Sequence, residues 1–372
     1  MTTRENYIQE VANGIIQELE KGTAPWQMPW QGDGVNNQFP VNSVTGNAYR
    51  GANLMHLLVQ QIKQKYESNV WMTYKQATEA GAQVRRGEKS TVICFADFSK
   101  FNAQQEAIKN GEWIDEKALL KGPLMIYSNV FNASQIDGLK NTFVPPVPLQ
   151  ESERLEIAEK LLKDSGAVIH HGGNRAFYRG GSSDEIHLPD WERFKSKEHY
   201  YATALHELGH WTGHPTRLNR KMGNGFGTED YAKEELRAEI SSMLMSQRLG
   251  IVHDSSQHHS YIKSWLQILK DDPKEIFRAC NDAEKICEFI GLKNSLIYKP
   301  TKEQEERNER MEQKAEEKAQ ERAQKPARKP FKPKTITVKD SIIVKEPKPP
   351  RAPNAPFVMN KNEPKKKRTM VM

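Results

Sequence analysis

YYATALHELGHWTGH, residues 200–214, carries His206, Glu207 and His210 in the order H-E-x-x-H. On a helix, histidines four apart lie on one face about one turn from each other, so both imidazoles can reach a single Zn2+ ion. Glu207, beside the first of them, is placed as the catalytic base that takes a proton from zinc-activated water. A five-residue match also arises by chance, so the rest of the ligand set decides its meaning. A catalytic zinc takes three protein ligands and keeps a fourth position open. The longer pattern H-E-x-x-H-x-x-G-x-x-H is met at Gly213 but ends on Thr216, and His214 falls two residues too early.

A better third ligand stands in KEELRAEI, residues 233–240. Glu235 and Glu239 are four apart there, flanked by the apolar Leu236, Ile240, Met243 and Leu244. Like charges at that spacing repel by about a few tenths of a kcal/mol. Burying them beside an apolar stripe costs far more unless something cationic meets them. A Zn2+ ion and the N–H of a ligand imidazole would satisfy both acids. In gluzincins the ligand glutamate is followed four residues later by an acid that orients a metal-binding histidine. Glu235 is therefore assigned as the third metal ligand and Glu239 as the acid behind it, with Glu234 the runner-up. The competing reading is a solvent-facing acidic start of a helix. Upstream, DEIHLP (184–189) has the place of the edge strand that zincins set above the active-site helix, where an extended peptide could pair. Tyr178 and His187 lie near it as candidate substrate-site residues, with packing or surface roles as the alternative.

The 372 residues suffice for two domains, each with its own core. An apolar content of 37% is low and implies that part of the chain does not fold. There is no run of 18 apolar residues, so no transmembrane helix and no membrane partner are expected. The opening MTTRENYIQEVANGII alternates polar and apolar residues at helical spacing and lacks a signal-peptide core. Cys94, Cys280 and Cys287 are odd in number and fall in no ligand-like pattern. A reduced, cytoplasmic protein is the expectation. The net charge of +7 belongs to the C-terminal tail: residues 299–372 hold 21 Lys/Arg against 11 Asp/Glu, and the other 298 hold 34 against 37. Any nucleic-acid reading of the body must therefore rest on local patches.

Periodicity predicts an amphipathic helix over 3–20, a loop rich in Trp, Pro, Gly and Asn, and a helix at 53–65. Two β-like runs, TVICFADF and LMIYSNVF, flank a polar insertion at 99–122. The proline-rich NTFVPPVPLQ (141–150) reads as a linker. Beyond it come a helix to about 163, a β-rich stretch over 166–189, and helices at 198–212, 229–249 and 257–290. Residues 302–324 are charged on all sides, and 325–372 are Pro/Lys-rich and expected to be disordered. The expected organisation is α+β, with domains at 1–145 and 146–298 and a tail over 299–372.

In the first domain Trp26, Trp30, Tyr49, Trp71 and Tyr74 lie among Arg50, Lys75, Arg85, Arg86 and Lys89. Aromatics that stack on bases, with cations that follow phosphates, are what a single-stranded nucleic-acid groove needs. The competing reading is that the aromatics build the core. The cations of GAQVRRGEKS (81–90) favour the groove, because they sit in a Gly-bounded turn leading into a strand.

The chain resembles the ArdC-type antirestriction proteins carried by plasmids and phages. The resemblance rests on PWQMPW, NSVTGNAYRGANLMHL, WMTYKQATEAGAQVRRGEKST and VFNASQIDGL in the first domain. In the second it rests on YYATALHELGHWTGHPTRLNR and the FG…YAKEELRAEI segment. It implies an N-terminal single-stranded DNA-binding domain shared with TraC-like primases, a zincin-like metallopeptidase domain holding one Zn2+ ion, and protection of incoming DNA from host restriction. A host or mobile-element protein is the implied peptide substrate. The tail, ending in PKKKR (364–368), and the insertion at 99–122 stand outside the resemblance.

Overall fold

The polar/apolar rhythm of the N-terminus becomes α1 (Thr3–Glu20), which buries Tyr7, Val11, Ile15 and Leu19 along one stripe. This computed structural model describes residues 3–27, 39–112, 114, 119–139, 147–223, 225, 227–251, 253, 261–292 and 298–299. One compact unit spans Met1–Arg310. After β1 (Val41–Asn42), α2 (Gly51–Gln64) packs against α1, Tyr7 meeting Asn53 and the His56 ring and Gly14 admitting Val59. There follow β2 (Val70–Thr73), α3 (Tyr74–Glu79), β3 (Gln83–Val84), β4 (Thr91–Asp97), α4 (Ser99–Lys109), β5 (Leu124–Asn132) and β6 (Ile136–Asp137). Thr73 and Gln76 cap the start of α3 reciprocally, which turns the chain out of β2.

The N-terminal sheet has the order β1-β2-β5-β4, with β1 parallel to β2 and the other pairs antiparallel. The two β-like runs of the sequence are thus β4 and β5, and the polar insertion between them holds α4. β4 is an edge strand, and α2 covers part of that edge. The Asn53 amide donates to Cys94 O at 2.8 Å, and its Oδ1 accepts from Cys94 N at 2.9 Å and from Tyr7 Oη at 2.7 Å.

The second half comprises β7 (Val147–Pro148), α5 (Glu151–Ser165), β8 (Val168–His171), β9 (Phe177–Arg179), β10 (Glu185–Leu188), α6 (Lys197–Trp211), α7 (Glu229–Leu249), α8 (Ile262–Asp271), α9 (Glu275–Phe289) and β11 (Tyr298–Lys299). β11 pairs with β7, within the stretch read as a linker. Two expectations are corrected. The helix predicted over 257–290 is broken, because Pro273 pushes Asp272 into an extended conformation (φ −137°, ψ 93°) between α8 and α9. DEIHLP is also not an edge: β10 lies between β8 and β9 in the order β8-β10-β9. The antiparallel edge strand beside the HELGH helix is β9, six or more residues upstream in sequence.

The α+β halves meet in one apolar core, with α1 against α8 and α2 against α9. Trp26 packs edge-on to Trp265, ring centroids 5.5 Å apart, and Trp265 Nε1 donates to Ala232 O of α7 at 2.9 Å. Arg50 Nη2 lies 2.7 Å from Glu284 Oε2 and 2.8 Å from Glu288 Oε1, while Arg248 Nη2 reaches the same Glu284 oxygen at 2.7 Å. Burial works to raise the Glu284 pKa, but Arg50 and Arg248 outweigh it and hold the carboxyl below its ordinary 4.5. Its contribution to stability is therefore fully present above pH 4.5 and is lost as pH falls through the depressed folded value. Glu284→Gln should lower stability at pH 7 by about 3 kcal/mol, leaving Arg248 buried without its carboxylate. It should also flatten the acid side of a melting-temperature-against-pH curve, both effects being measurable by thermal denaturation.

Candidate metal centre and nucleic-acid surface

The helix predicted around HELGH is α6, opened by Ser196, whose hydroxyl accepts from His199 N. α7 begins at the Thr228 cap and crosses α6 closely. Gly209 permits that crossing, since a Cβ there would stand 3.0 Å from Ser241 Oγ. The crossing brings His206, His210 and Glu235 together as a buried cluster whose ligand atoms all lie within 4.8 Å of one another. The Nε2 atoms of His206 and His210 are 3.2 Å apart. Glu235 Oε2 is 3.8 Å from His206 Nε2, and its Oε1 is 3.5 Å from His210 Nε2. Two imidazole nitrogens that close cannot both carry a proton, and a carboxylate 3% exposed faces them. Two imidazoles and one carboxylate converging on one point form a donor set that a divalent cation fits, the cation taking the place of a proton on His210. Glu207, 8% exposed, borders the same cavity.

Behind the cluster stands Glu234, the runner-up of the sequence reading. Its Oε1 is 3.3 Å from His210 Nδ1, the ring nitrogen turned away from the cluster. Arg220 clamps the same carboxylate, Nε to Oε2 at 3.0 Å and Nη2 to Oε1 at 2.6 Å, and also donates to Thr212 Oγ1 and Gly209 O. Gly213 lets this guanidinium pass, because a Cβ there would overlap Met222 Sδ and approach Arg220. Burial would lower the His210 pKa, yet Glu235 and then Glu234 outweigh it and push it up to about 9. For Glu234, burial is likewise overcome by His210 and Arg220, and the carboxyl stays below its usual range. Glu239 is 1% exposed and its Oε2 lies 3.6 Å from His253 Nε2. At His210 the orienting acid is thus Glu234, one residue before Glu235 and not four after it. No spacing rule pointed to Arg220; only the fold carries it back over the end of α6.

The cluster opens into a cavity of about 700 Å3 lined also by Tyr178, His214, Tyr231 and Tyr261. Tyr178 Oη donates to Asp184 Oδ1 at 2.7 Å, and Arg217 grips the same Asp184. Burial and the Asp184 charge raise the Tyr178 pKa, so the phenol keeps its proton. His214 contacts Thr216 Oγ1 and Gly181 O and is no ligand. His187 is corrected: it alternates with the buried Ile186 and Leu188 on β10, stacks on Phe177 at 4.6 Å and pairs with Glu185, and it does not line the cavity.

In the N-terminal half the aromatic reading is corrected for three residues. Trp26 and Trp71 are 0% exposed and Tyr49 is 7% exposed, so no ring face is open to a base. Arg50 is committed to Glu284 and Glu288. Trp30 lies outside the described residues. Tyr74 is 52% exposed and forms a shallow groove with Arg85, Arg86 and Phe131. Arg85 is matched by Glu88 and Asp137, and Lys75 by Glu79. Arg86 and Lys89 are exposed and have no ion pair among the described residues.

Fold and donor set define a zincin-like metal-binding domain joined to an N-terminal domain of a second type. Residues 156–282 match the family described as zincin-like metallopeptidase, and residues 5–131 match the N-terminal domain of anti-restriction factor ArdC. The chain is similar to the antirestriction ArdC protein from plasmid R388 in its Mn(II)-bound crystal structure, at 35% identity and a TM-score of 0.60, covering 76% of this chain and 96% of that one. The metal-free structure of the same protein gives 34% and 0.61, covering 78% and 99%. It is also 47% identical over 307 residues to a DNA primase TraC of Escherichia coli, a match covering 80% of this chain but only 28% of the primase. The chain belongs to the ArdC antirestriction family.

Metal analysis of purified variants should separate the acids. Glu235→Ala should lose the ion, Glu239→Ala should keep a full equivalent, and Glu234→Gln should weaken binding by about 10–100-fold in a chelator competition.

Proposed function

We propose that the protein protects incoming DNA from restriction by binding single strands through its N-terminal half (1–145), while its second half (146–298) carries a zinc metallopeptidase-like site. Membership of the ArdC family is the observation that carries the first part. The exposed Tyr74 beside Arg86 and Lys89 supports it, since one stacking face and free cations suit an unpaired strand. Acting on incoming DNA, the protein works in the bacterial cytoplasm. Among the described residues no helix is long and apolar enough to cross a membrane, and the three cysteines are free thiols.

For the second part, His206, His210 and Glu235 hold the ion and Glu239 stands behind them with Glu234. When bound, zinc supplies Lewis-acid activation of water and of the scissile carbonyl. Glu207 takes the proton of the attacking water and returns it to the leaving amine. Tyr178, kept protonated, gives its one hydroxyl proton to Asp184 and so anchors the wall of the cleft. The open edge of β9 is the surface along which an extended peptide would align. The alternative is an active zinc endopeptidase that cleaves a host or mobile-element protein, with DNA binding serving only to localise it.

Mobility shifts at graded salt should show preference for single- over double-stranded DNA, and equal affinity for both would sink the DNA reading. Arg86→Ala and Lys89→Ala should each lower the salt slope by about one while leaving the melting temperature unchanged. In a restriction-protection assay, Glu207→Gln retains metal and DNA binding. Unchanged protection by that variant would mean that hydrolysis is not what protection needs.

A further inference from the structure

The cavity beside the metal cluster is rich in carboxylates, and each of three acids around it already has a cation or donor. Glu234 is held by Arg220 and His210, Glu235 faces the two imidazoles, and Asp184 is held by Arg217 and Tyr178. The guanidinium groups nearby are matched in the same way, Arg217 to Asp184, Arg220 to Glu234 and Arg179 to Glu185. Arg175 is different. It is the single Lys or Arg among the described residues lining the cavity, it is exposed, and its side chain has no ion pair or hydrogen bond among them. It sits in the connection between β8 and β9, two residues before Phe177, at the start of the open edge strand that borders the cavity.

We infer that Arg175 is a specificity-determining residue that selects peptides carrying an acidic side chain in this cleft, an inference that rests on the peptidase reading above. A planar guanidinium with both donor edges open pairs bidentately with a carboxylate, and the pair strengthens as the bound peptide excludes water. A nucleic-acid phosphate is the weaker fit. One cation among Glu207, Glu234 and Glu235 does not balance a polyanionic strand, whereas an Asp or Glu side chain brings one charge to one cation.

The test uses the full-length, zinc-loaded protein and three tripeptide hydroxamates that differ only in carrying Glu, Gln or Lys. The hydroxamate anchors each probe at the metal, so binding is read without turnover. The wild type should bind the Glu probe at least about tenfold tighter than the Gln probe. Arg175→Ala should erase that gap while leaving affinity for the Gln probe, zinc content and melting temperature unchanged, because the side chain it removes supports nothing else. Arg175→Glu should reverse the order in favour of Lys. Equal affinities of the wild type for the three probes would overturn the inference while leaving the peptidase reading in place. It is also overturned if a short single-stranded oligonucleotide displaces the Glu probe from the wild type and binds Arg175→Ala less well, since Arg175 then reads phosphate. If a zinc-loaded wild type binds none of the three probes, the peptide-cleft reading itself fails and the inference falls with it.

Discussion

Three carboxylates on one helix have to be matched inside the protein, and much of the second half is arranged to do so. Glu234, Glu235 and Glu239 of α7 are each 3% exposed or less. Uncompensated, buried charges at this density would keep α7 out of the core or force the acids to take up protons. Each meets a cationic or imidazole partner: Arg220 and His210 Nδ1 at Glu234, His206 and the other nitrogen of His210 at Glu235, and His253 at Glu239. The loop after α6 folds back to bring Arg220 into place, and the residues that let it pass are small. Metal chemistry and fold therefore share one electrostatic requirement. The donor set is held by the same contacts that make α7 tolerable in the core.

The N-terminal half is not an independent body tethered to this frame. Arg50 reaches Glu284, which Arg248 of α7 also grips, and Trp26 leans on Trp265, which holds the backbone of α7 at Ala232. Trp26 and Arg50, which a composition-based reading takes for part of a stacking groove, are thus part of the joint between the halves. Aromatic and basic residues close together in sequence mean a groove only where the ring faces are open. Here Trp26, Tyr49 and Trp71 are closed, while Tyr74, in the first turn of α3, is open because the chain leaves the sheet at that point.

The cluster of His206, His210 and Glu235 that could hold a metal was legible because helical spacing and the cost of a buried acid are both local signals. His206 and His210 follow from the period of α6, and Glu235 follows from the cost of an acid beside Leu236 and Ile240. Nothing local distinguishes Glu234 from its neighbour, and its partner, Arg220, comes from a loop whose path no periodicity encodes. The break at Asp272–Pro273 was written in the sequence and was overridden by the apolar rhythm on either side of it. The order of β8, β9 and β10 was not legible, since three strands of three or four residues can pair in several ways at nearly equal local cost. The antirestriction family was recognisable from stretches scattered over both halves, which is why it survived the loss of several individual residue assignments.

Asn53 shows how little chain can replace a strand. Its side-chain amide presents a C=O and an N–H in the spacing of a peptide group, and it occupies both hydrogen-bonding positions of Cys94 at the outer edge of β4. At Cys94 the edge is so filled that the ladder is interrupted for another chain, which works against the intermolecular pairing to which exposed sheet edges are prone. The same oxygen takes the Tyr7 hydroxyl, so this one amide also fixes the register of two helices over the sheet. Protection of the sheet edge at Cys94 and the seating of α1 and α2 on it thus converge on a single side chain.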